Sequence, residues 1–442
     1  MPLFIFKLLY VILKTMTDNS QTINAEHKQG RINRTLRKTF ISLRNRNFRL
    51  FFIGQTISNI GNWLTNVALT LFVLKLTHSG LAVGLVAACQ YGPILFLSAW
   101  AGSIADRSNK WRMLLTTQSL EMCQSIGLAI LAFMPHPALG GLYILAIVGG
   151  ILLAFDNPVR RSFVTEMVRE EDVSNAAVLY SNTSNVAKIF GPALAGLLIV
   201  TLGYGWCFTV DASTYLVVLF CILIMNVKEL RRFQIEPRNK NKDEVSEGIR
   251  YILSEPVLWI SFAMVAAIGT LAYNFTVTLP LFVINSLHSS VGTFTILYSI
   301  FSVGAVVGAL VVAYFGLVKI RHVIIGAFAL GLVMILLAIT PGIKIAALII
   351  LLIGMALILF MTSTTAIIQV EAKREMHGRL LAIQAVFIAG TSVVGGPLCG
   401  WLADILGARA PIIIGGIVCL LSAIFGYLAT KHYAPEKLLK VA

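Results

Sequence analysis

The stretch Gly102-Ser103-Ile104-Ala105-Asp106-Arg107-Ser108-Asn109-Lys110-Trp111-Arg112 lies between two long apolar runs. It is too polar to rest in hydrocarbon, and it sets three basic side chains against a single carboxylate. A short hydrophilic turn joining two membrane spans faces the side that collects Lys and Arg, so this turn belongs to the cytoplasm.

Outward from this turn the chain divides into apolar segments of about 20 residues, the length a helix needs to cross the hydrocarbon core. They fall at 48–74, 81–104, 113–133, 138–157, 174–203, 206–227, 257–285, 291–317, 322–340, 344–369, 380–406 and 410–430. Across 442 residues the composition is 57% hydrophobic and 12% charged, too little polar surface to coat a soluble domain of that size. A net charge of +15 raises the question of nucleic acid. Its distribution answers it: apart from Lys188 inside a span, and Lys75, Lys344 and Arg409 opposite, every Lys and Arg is assigned to the side of the turn at 102–112. Membrane topology produces that asymmetry, the partner it implies is the lipid bilayer, and nucleic acid is excluded.

The boundaries that follow are a cytoplasmic segment 1–47, a six-span unit 48–227, a cytoplasmic linker 228–256, a second six-span unit 257–430 and a cytoplasmic tail 431–442. The run Leu3 to Leu13 reads either as an interfacial helix or as sequence upstream of a true start at Met16; no signal-peptide cleavage site follows it. In the linker, Val245, Ile249 and Ile252 repeat at helical spacing and predict an amphipathic surface helix. The units share a pattern: Val164 to Pro192 and Val370 to Pro397 each run from a charged turn to a Gly-Pro pair in equivalent spans, the weak symmetry of repeat-built transporters. The six cysteines are isolated, with no metal spacing. No Gly-Lys pair, His-Glu-x-x-His or Gly-x-Ser-x-Gly occurs, so neither a nucleotide site nor a catalytic motif is present, no cofactor is implied, and the chain reads as no enzyme.

Several polar groups stand inside the spans. Gln55, Asn59, Asn62 and Asn66, spaced four, three and four, share one face of the first helix and read either as a wall of a substrate cavity or as interhelical hydrogen-bonding groups. Tyr273 and Asn274, with Phe275 and Pro280 near a kink, are the matching cavity candidates in the seventh. Glu121, about 12 Å along the third span and flanked by Gln118 and Ser125, is a proton-carrying candidate or a structural partner, for instance of Lys188. Asp156, in Asp156-Asn157-Pro158-Val159-Arg160-Arg161, is the other proton-coupling candidate; a boundary cluster at the headgroups explains the same residues more simply.

The opening turn resembles the signature loop of the major facilitator superfamily, Gly-x-x-x-Asp-Arg/Lys-x-Gly-Arg/Lys-Arg/Lys. Asn109 replaces the usual Gly, tolerable because Asn visits left-handed backbone, and Trp111 splits the closing basic pair. With twelve spans and a central linker the resemblance covers 48–430. It implies an all-α fold of two pseudo-symmetric six-helix bundles, working by alternating access as a monomer, with Gly102, Asp106, Arg107, Lys110 and Arg112 as the conformational-switch loop. The second unit keeps only Gly316, Lys319 and Arg321 of that loop. Lys188, Gly191, Pro192 and Gly196 resemble the helix-kink motif of exporting branches. Asn47-Phe48-Arg49-Leu50-Phe51, Asp156-Asn157-Pro158-Val159-Arg160 and Phe190-Gly191-Pro192 look like the enterobactin and macrolide exporter branch. That likeness implies proton-coupled export of a small amphipathic molecule, a siderophore or a hydrophobic drug. A proton-linked importer or lipid flippase of the same fold is the alternative, and a non-transporting receptor or scaffold is the alternative of another class.

Overall fold

With no water in the bilayer core to satisfy backbone N–H and C=O groups, these apolar runs have to close their hydrogen bonds internally, as helices. The computed structural model describes residues 40–231, 244–316 and 319–436, and over them it contains helices and no strand. Each apolar segment is helical, the seventh with a break at 272–274: α1 Arg46–Thr77, α2 Gly80–Arg107, α3 Lys110–Phe133, α4 Leu139–Met167, α5 Val173–Thr201, α6 Tyr204–Leu223, α7 Pro256–Ser286, α8 Val291–Phe315, α9 Ile320–Ile339, α10 Ile343–Glu371, α11 His377–Leu406 and α12 Ala410–Tyr433. Among the described residues, all but α3 contain a stretch long and apolar enough to span a membrane by composition. The polar residues that dilute α3, Gln118, Glu121 and Ser125, are buried inside the first bundle. The run Leu3 to Leu13, Met16, most of the basic tract before α1 and part of the linker lie outside the described residues.

The neighbours of each helix repeat six helices on. In the first bundle α1 packs on α5 and α6, α2 on α4, and α3 on α4 and α6; in the second α7 packs on α11 and α12, α8 on α10, and α9 on α10 and α12. The bundles meet where α2 crosses α11 and α5 crosses α8, two contacts that exchange under the same shift.

Small residues make these crossings close. Gly80 and Gly84 of α2 lie against the backbone of Gly400 and Gly396 of α11, and Gly196 of α5 lies against Thr295 of α8; a Cβ at any of these glycines would collide with the partner helix. Gly304 and Gly308 pack on α10 inside the second bundle. Asp404 of α11 also caps the start of α2 across the interface, accepting from the Ser79 hydroxyl (2.7 Å) and the N–H groups of Gly80 (2.5 Å) and Leu81 (2.9 Å), which otherwise have no helical partner.

The contacts between the two bundles lie toward the end where α1 finishes. At the opposite, linker end the same helix faces separate. Gly102 and Gly378, which point along α2 and α11 toward the linker end, have open space beside them, and Ala382 and Ala385 of α11 are exposed. Between the two ends, Gly390 of α11 lies against Leu95 of α2. The molecule is closed at the far end and splayed at the linker end.

The signature turn is tighter than the family pattern implies. α2 stops at Arg107, and Asn109 has φ −70°, outside the left-handed region; its side chain instead accepts from the Arg112 N–H (3.2 Å) and caps α3. Lys110 is buried and pairs with Glu166 of α4 at 2.5 Å, and the Trp111 indole donates to the Ile222 carbonyl of α6 (3.0 Å). The Asp106 side chain lies outside the described side chains. The linker helix forms at Glu244–Ser254 and docks on the second bundle. Ile252 is buried, Glu247 pairs with Arg379 (2.6 Å), and the Tyr251 hydroxyl accepts from the Lys373 N–H (3.2 Å). Ile249 remains exposed, and the Val245 side chain lies outside the described side chains.

Candidate functional site

Inside the first bundle, away from lipid, polar side chains of five helices converge on one guanidinium. Arg160 of α4 is 2% exposed. Its Nε lies against the carboxylate of Asp156, one helical turn earlier, and its Nη2 contacts Glu121 Oε2 of α3 at 3.1 Å. Its Nη1 donates to Asn59 Oδ1 of α1 (3.3 Å), and the Asn59 amide donates on to Thr183 of α5 (2.9 Å). Gln118 bridges the two acids, donating to Asp156 Oδ1 and Glu121 Oε2 (both 3.0 Å), while Thr117 donates to Asp156 Oδ1 (2.7 Å). A third carboxylate, Asp211 of α6, accepts from Ser125 of α3 (2.7 Å) and Thr65 of α1 (2.8 Å). Asp156, Asp211 and Glu121 are all buried. Three carboxyl groups therefore share a low-dielectric interior with one guanidinium, an arrangement whose charge does not close without protons or movement.

Both proton-coupling candidates are brought together here, with a difference for Asp156. The apolar pattern ends at 157, which places Asp156 at the headgroups, but α4 continues to Met167, so Asp156 sits about 16 Å inside that end by helix rise. The segment remains helical through Pro158, and its charges pair within the bundle. Glu121 is paired with Arg160, and Lys188 stands elsewhere, with its Nζ 5.4 Å from the Trp63 ring centre. Asp211 is the residue that reading the sequence missed. Its signal was present: it is the sole acidic residue of the sixth apolar segment.

The amide stripe of α1 splits. Asn59 bonds Arg160 and Thr183, Asn62 accepts from the Tyr215 hydroxyl (3.2 Å), and Asn66 donates to Gln90 of α2 (3.1 Å); all three are half-buried. Gln55 is fully buried, and its amide, like the Ser58 hydroxyl one turn on, has no hydrogen-bond partner. In α7 the Asn274 amide donates to the carbonyls of Thr270 (2.8 Å) and Gly269 (3.3 Å), sealing the end of the first segment, Pro256–Leu271, so the helix breaks there rather than at Pro280. Tyr273, beside the break, is half-buried and lies within electrostatic reach of Tyr91 of α2 and Tyr298 of α8, so the two bundles face one another across phenols. Gly191 packs against Trp63 and Ile60 of α1, and Pro192 lies within α5. An apolar groove of about 470 Å³ between α2 and α4, lined by Cys89, Pro93 and Ile151 among others, has almost no polar lining and carries no part of this network. Among the described residues no three His, Cys, Asp or Glu side chains form a metal-sized cluster.

The model of a family described as transmembrane secretion effector matches residues 37–436. The staphyloferrin A transporter of Staphylococcus aureus (strain NCTC 8325 / PS 47) is 25% identical over 391 residues, covering 87% of this chain and 96% of that protein. The enterobactin exporter EntS of Salmonella choleraesuis (strain SC-B67) is 23% identical over 401 residues, covering 88% and 94%. Among solved structures, a bacterial homolog of the human lysosomal transporter Spinster, inward-facing and unoccupied, superposes with a TM-score of 0.69 at 15% identity, covering 90% of this chain and 98% of that one. A POT family transporter in complex with 5-aminolevulinic acid gives 0.73 at 13%, covering 89% and 97%. At such identities these likenesses concern the fold, a major facilitator one.

Proposed function

The chain belongs to the transmembrane secretion effector family, and on that premise we propose that it is a proton-coupled exporter of a small amphipathic, siderophore-like molecule. It is a multi-pass membrane transporter of the major facilitator type, not an enzyme. The distribution of Lys and Arg supports a cytoplasmic linker end with both termini on that side; Arg160 leaves that tally, being inside the bundle. In this orientation the splayed end admits substrate from the cytoplasm. Alternating access then closes α5 on α8 and α2 on α11 at the linker end while the glycine contacts at the far end part. One chain holds both bundles, so a monomer suffices.

The observation that carries the reading is the buried pairing of Arg160 with Glu121 and Asp156, with Asp211 buried within electrostatic reach of Glu121. Arg160 supplies the counter-charge of Glu121 and Asp156 in this state, and a movement that withdraws it leaves a buried negative charge that a proton can replace. Asn59 joins the guanidinium to the half-exposed face of α1 and to Thr183 of α5, so movement of α1 against α5 bears directly on Arg160. A group charged in one access state and protonated in the other couples the two cycles. Export, and a siderophore as cargo, rest on the relatives.

The test is transport in proteoliposomes holding the purified chain, with staphyloferrin A and enterobactin as probes under an imposed pH gradient. Accumulation against a concentration gradient that an uncoupler abolishes is expected. Transport indifferent to the gradient, or no transport of either probe, contradicts the proposal.

A further inference from the structure

Lys188 takes no part in the charge network. It lies about 22 Å along α5, near the middle of that helix and so near the membrane midplane. Ser181, Ser184, Asn185 and Lys188, spaced three, one and three, fall on one face of α5. The first three are exposed and Lys188 is half-buried. Just beyond it the helix seals: Gly191 meets α1, the Ile189 carbonyl accepts from Ser299 of α8 (3.0 Å), and Gly196 meets Thr295. Lys188 thus stands at the closed head of a polar wall that opens toward the linker end. Its ammonium lies over the Trp63 ring at 5.4 Å and, among the described residues, makes no ion pair with a carboxylate.

A cation at that depth is costly, and an indole face offsets only part of the cost. A purely structural Lys would snorkel its stem along Trp63 and bring its charge to water; here the route to water is the cleft itself. We infer that Lys188, seated on Trp63, anchors a carboxylate of the transported molecule at the head of the cleft. The inference rests on the reading of the cleft as the substrate path, and it names the substrate class, an amphipathic carboxylate, that this path takes. Binding there leaves the ammonium paired and desolvated, where a charge-assisted hydrogen bond is strong.

The probes are 2-naphthoate and its neutral counterpart 2-naphthamide, titrated calorimetrically into the full chain in phosphatidylcholine nanodiscs without any pH gradient. The wild type is expected to bind the carboxylate about tenfold more tightly than the amide. Lys188→Gln is expected to erase that preference and Lys188→Arg to keep it within about threefold, at unchanged amide affinity. Should Lys188→Gln fail to fold, Lys188→Met, which keeps the stem over Trp63, replaces it. Absence of a carboxylate preference in the wild type, or its survival in folded Lys188→Gln or Lys188→Met, overturns the anchor. Competition by phosphatidylglycerol added to the disc assigns the ammonium to a lipid headgroup and overturns it as well. Because no gradient is used, a failed proton-coupling test with intact Lys188-dependent binding refutes the coupling alone, and the converse refutes the anchor alone.

Discussion

Replacing Arg160 by Leu removes the cation from a network with almost no water around it: the side chains of Arg160, Glu121 and Asp156 are 3%, 5% and 0% exposed. The variant leaves Glu121 and Asp156 facing one another without a counter-charge and frees one acceptor bond of Asn59. Removing one partner of a buried ion pair costs about 3–5 kcal/mol, most of it the penalty of the charge left behind. For a bundle of this size that corresponds to a fall of about 10 °C or more in Tm, followed by thermal unfolding in detergent. The triple replacement Arg160→Leu, Glu121→Gln, Asp156→Asn removes the charges together, and a buried pair exchanged for neutral groups is about neutral, so it is expected to recover most of the loss. A single variant melting within about 2 °C of the wild type would refute the pairing, because surface substitutions change so little. A triple variant as unstable as the single one would show that shape, not charge, sets the cost.

Other sites give further expectations. Gly400→Leu sets a side chain against the Gly80 backbone, and overpacking of about 1–3 kcal/mol is expected to slow labelling of a cysteine introduced at Ser184 from the linker side about tenfold; unchanged labelling contradicts the assignment of that crossing as the far-end seal. Gln55→Leu removes a buried amide without partners and is expected to raise stability by about 1 kcal/mol in chemical denaturation, whereas a loss would show that the amide is satisfied by water or by the other access state. Lys110→Met strands Glu166 and is expected to cost about 3 kcal/mol, recovered by adding Glu166→Gln; a mild single variant would mean the pair is solvated.

The twelve helices were legible because hydrocarbon length and backbone satisfaction leave the sequence few choices, and each apolar segment became a helix. The signature turn was legible in charge but not in geometry: Asn109 caps α3 where a left-handed residue was expected, a local hydrogen bond prevailing over the family's turn. What hydropathy hid was burial of charge. Asp156 and Arg160 look like a headgroup boundary because hydropathy cannot see that residues four apart neutralise each other, and α4 runs on through them. Asp211 was overlooked because a lone acid between Val210 and Ala212 carries no motif, yet Ser125 and Thr65, remote in sequence, supply its hydrogen bonds. The amide stripe of α1 was legible as a face. Which of its members bond neighbouring helices, and which stays without partners, depends on side chains of α2, α4, α5 and α6 that no local pattern foretells.

Proton coupling through the first bundle is the central claim, and it is tested most directly by comparing gradient-driven efflux with downhill exchange of a transported siderophore in proteoliposomes. The chains compared are the wild type, Glu121→Gln, Asp156→Asn and Asp211→Asn. A carrier must lose and regain its proton as access alternates, so a non-titrating isostere at the carrier abolishes uphill efflux and spares exchange. Glu121, bridged to Arg160 at a single oxygen, is the expected carrier, and Glu121→Gln is expected to show that split while Asp156→Asn keeps uphill efflux. Loss in Asp156→Asn or Asp211→Asn alone moves the proton to that residue, and full gradient-driven efflux in all three variants contradicts the account.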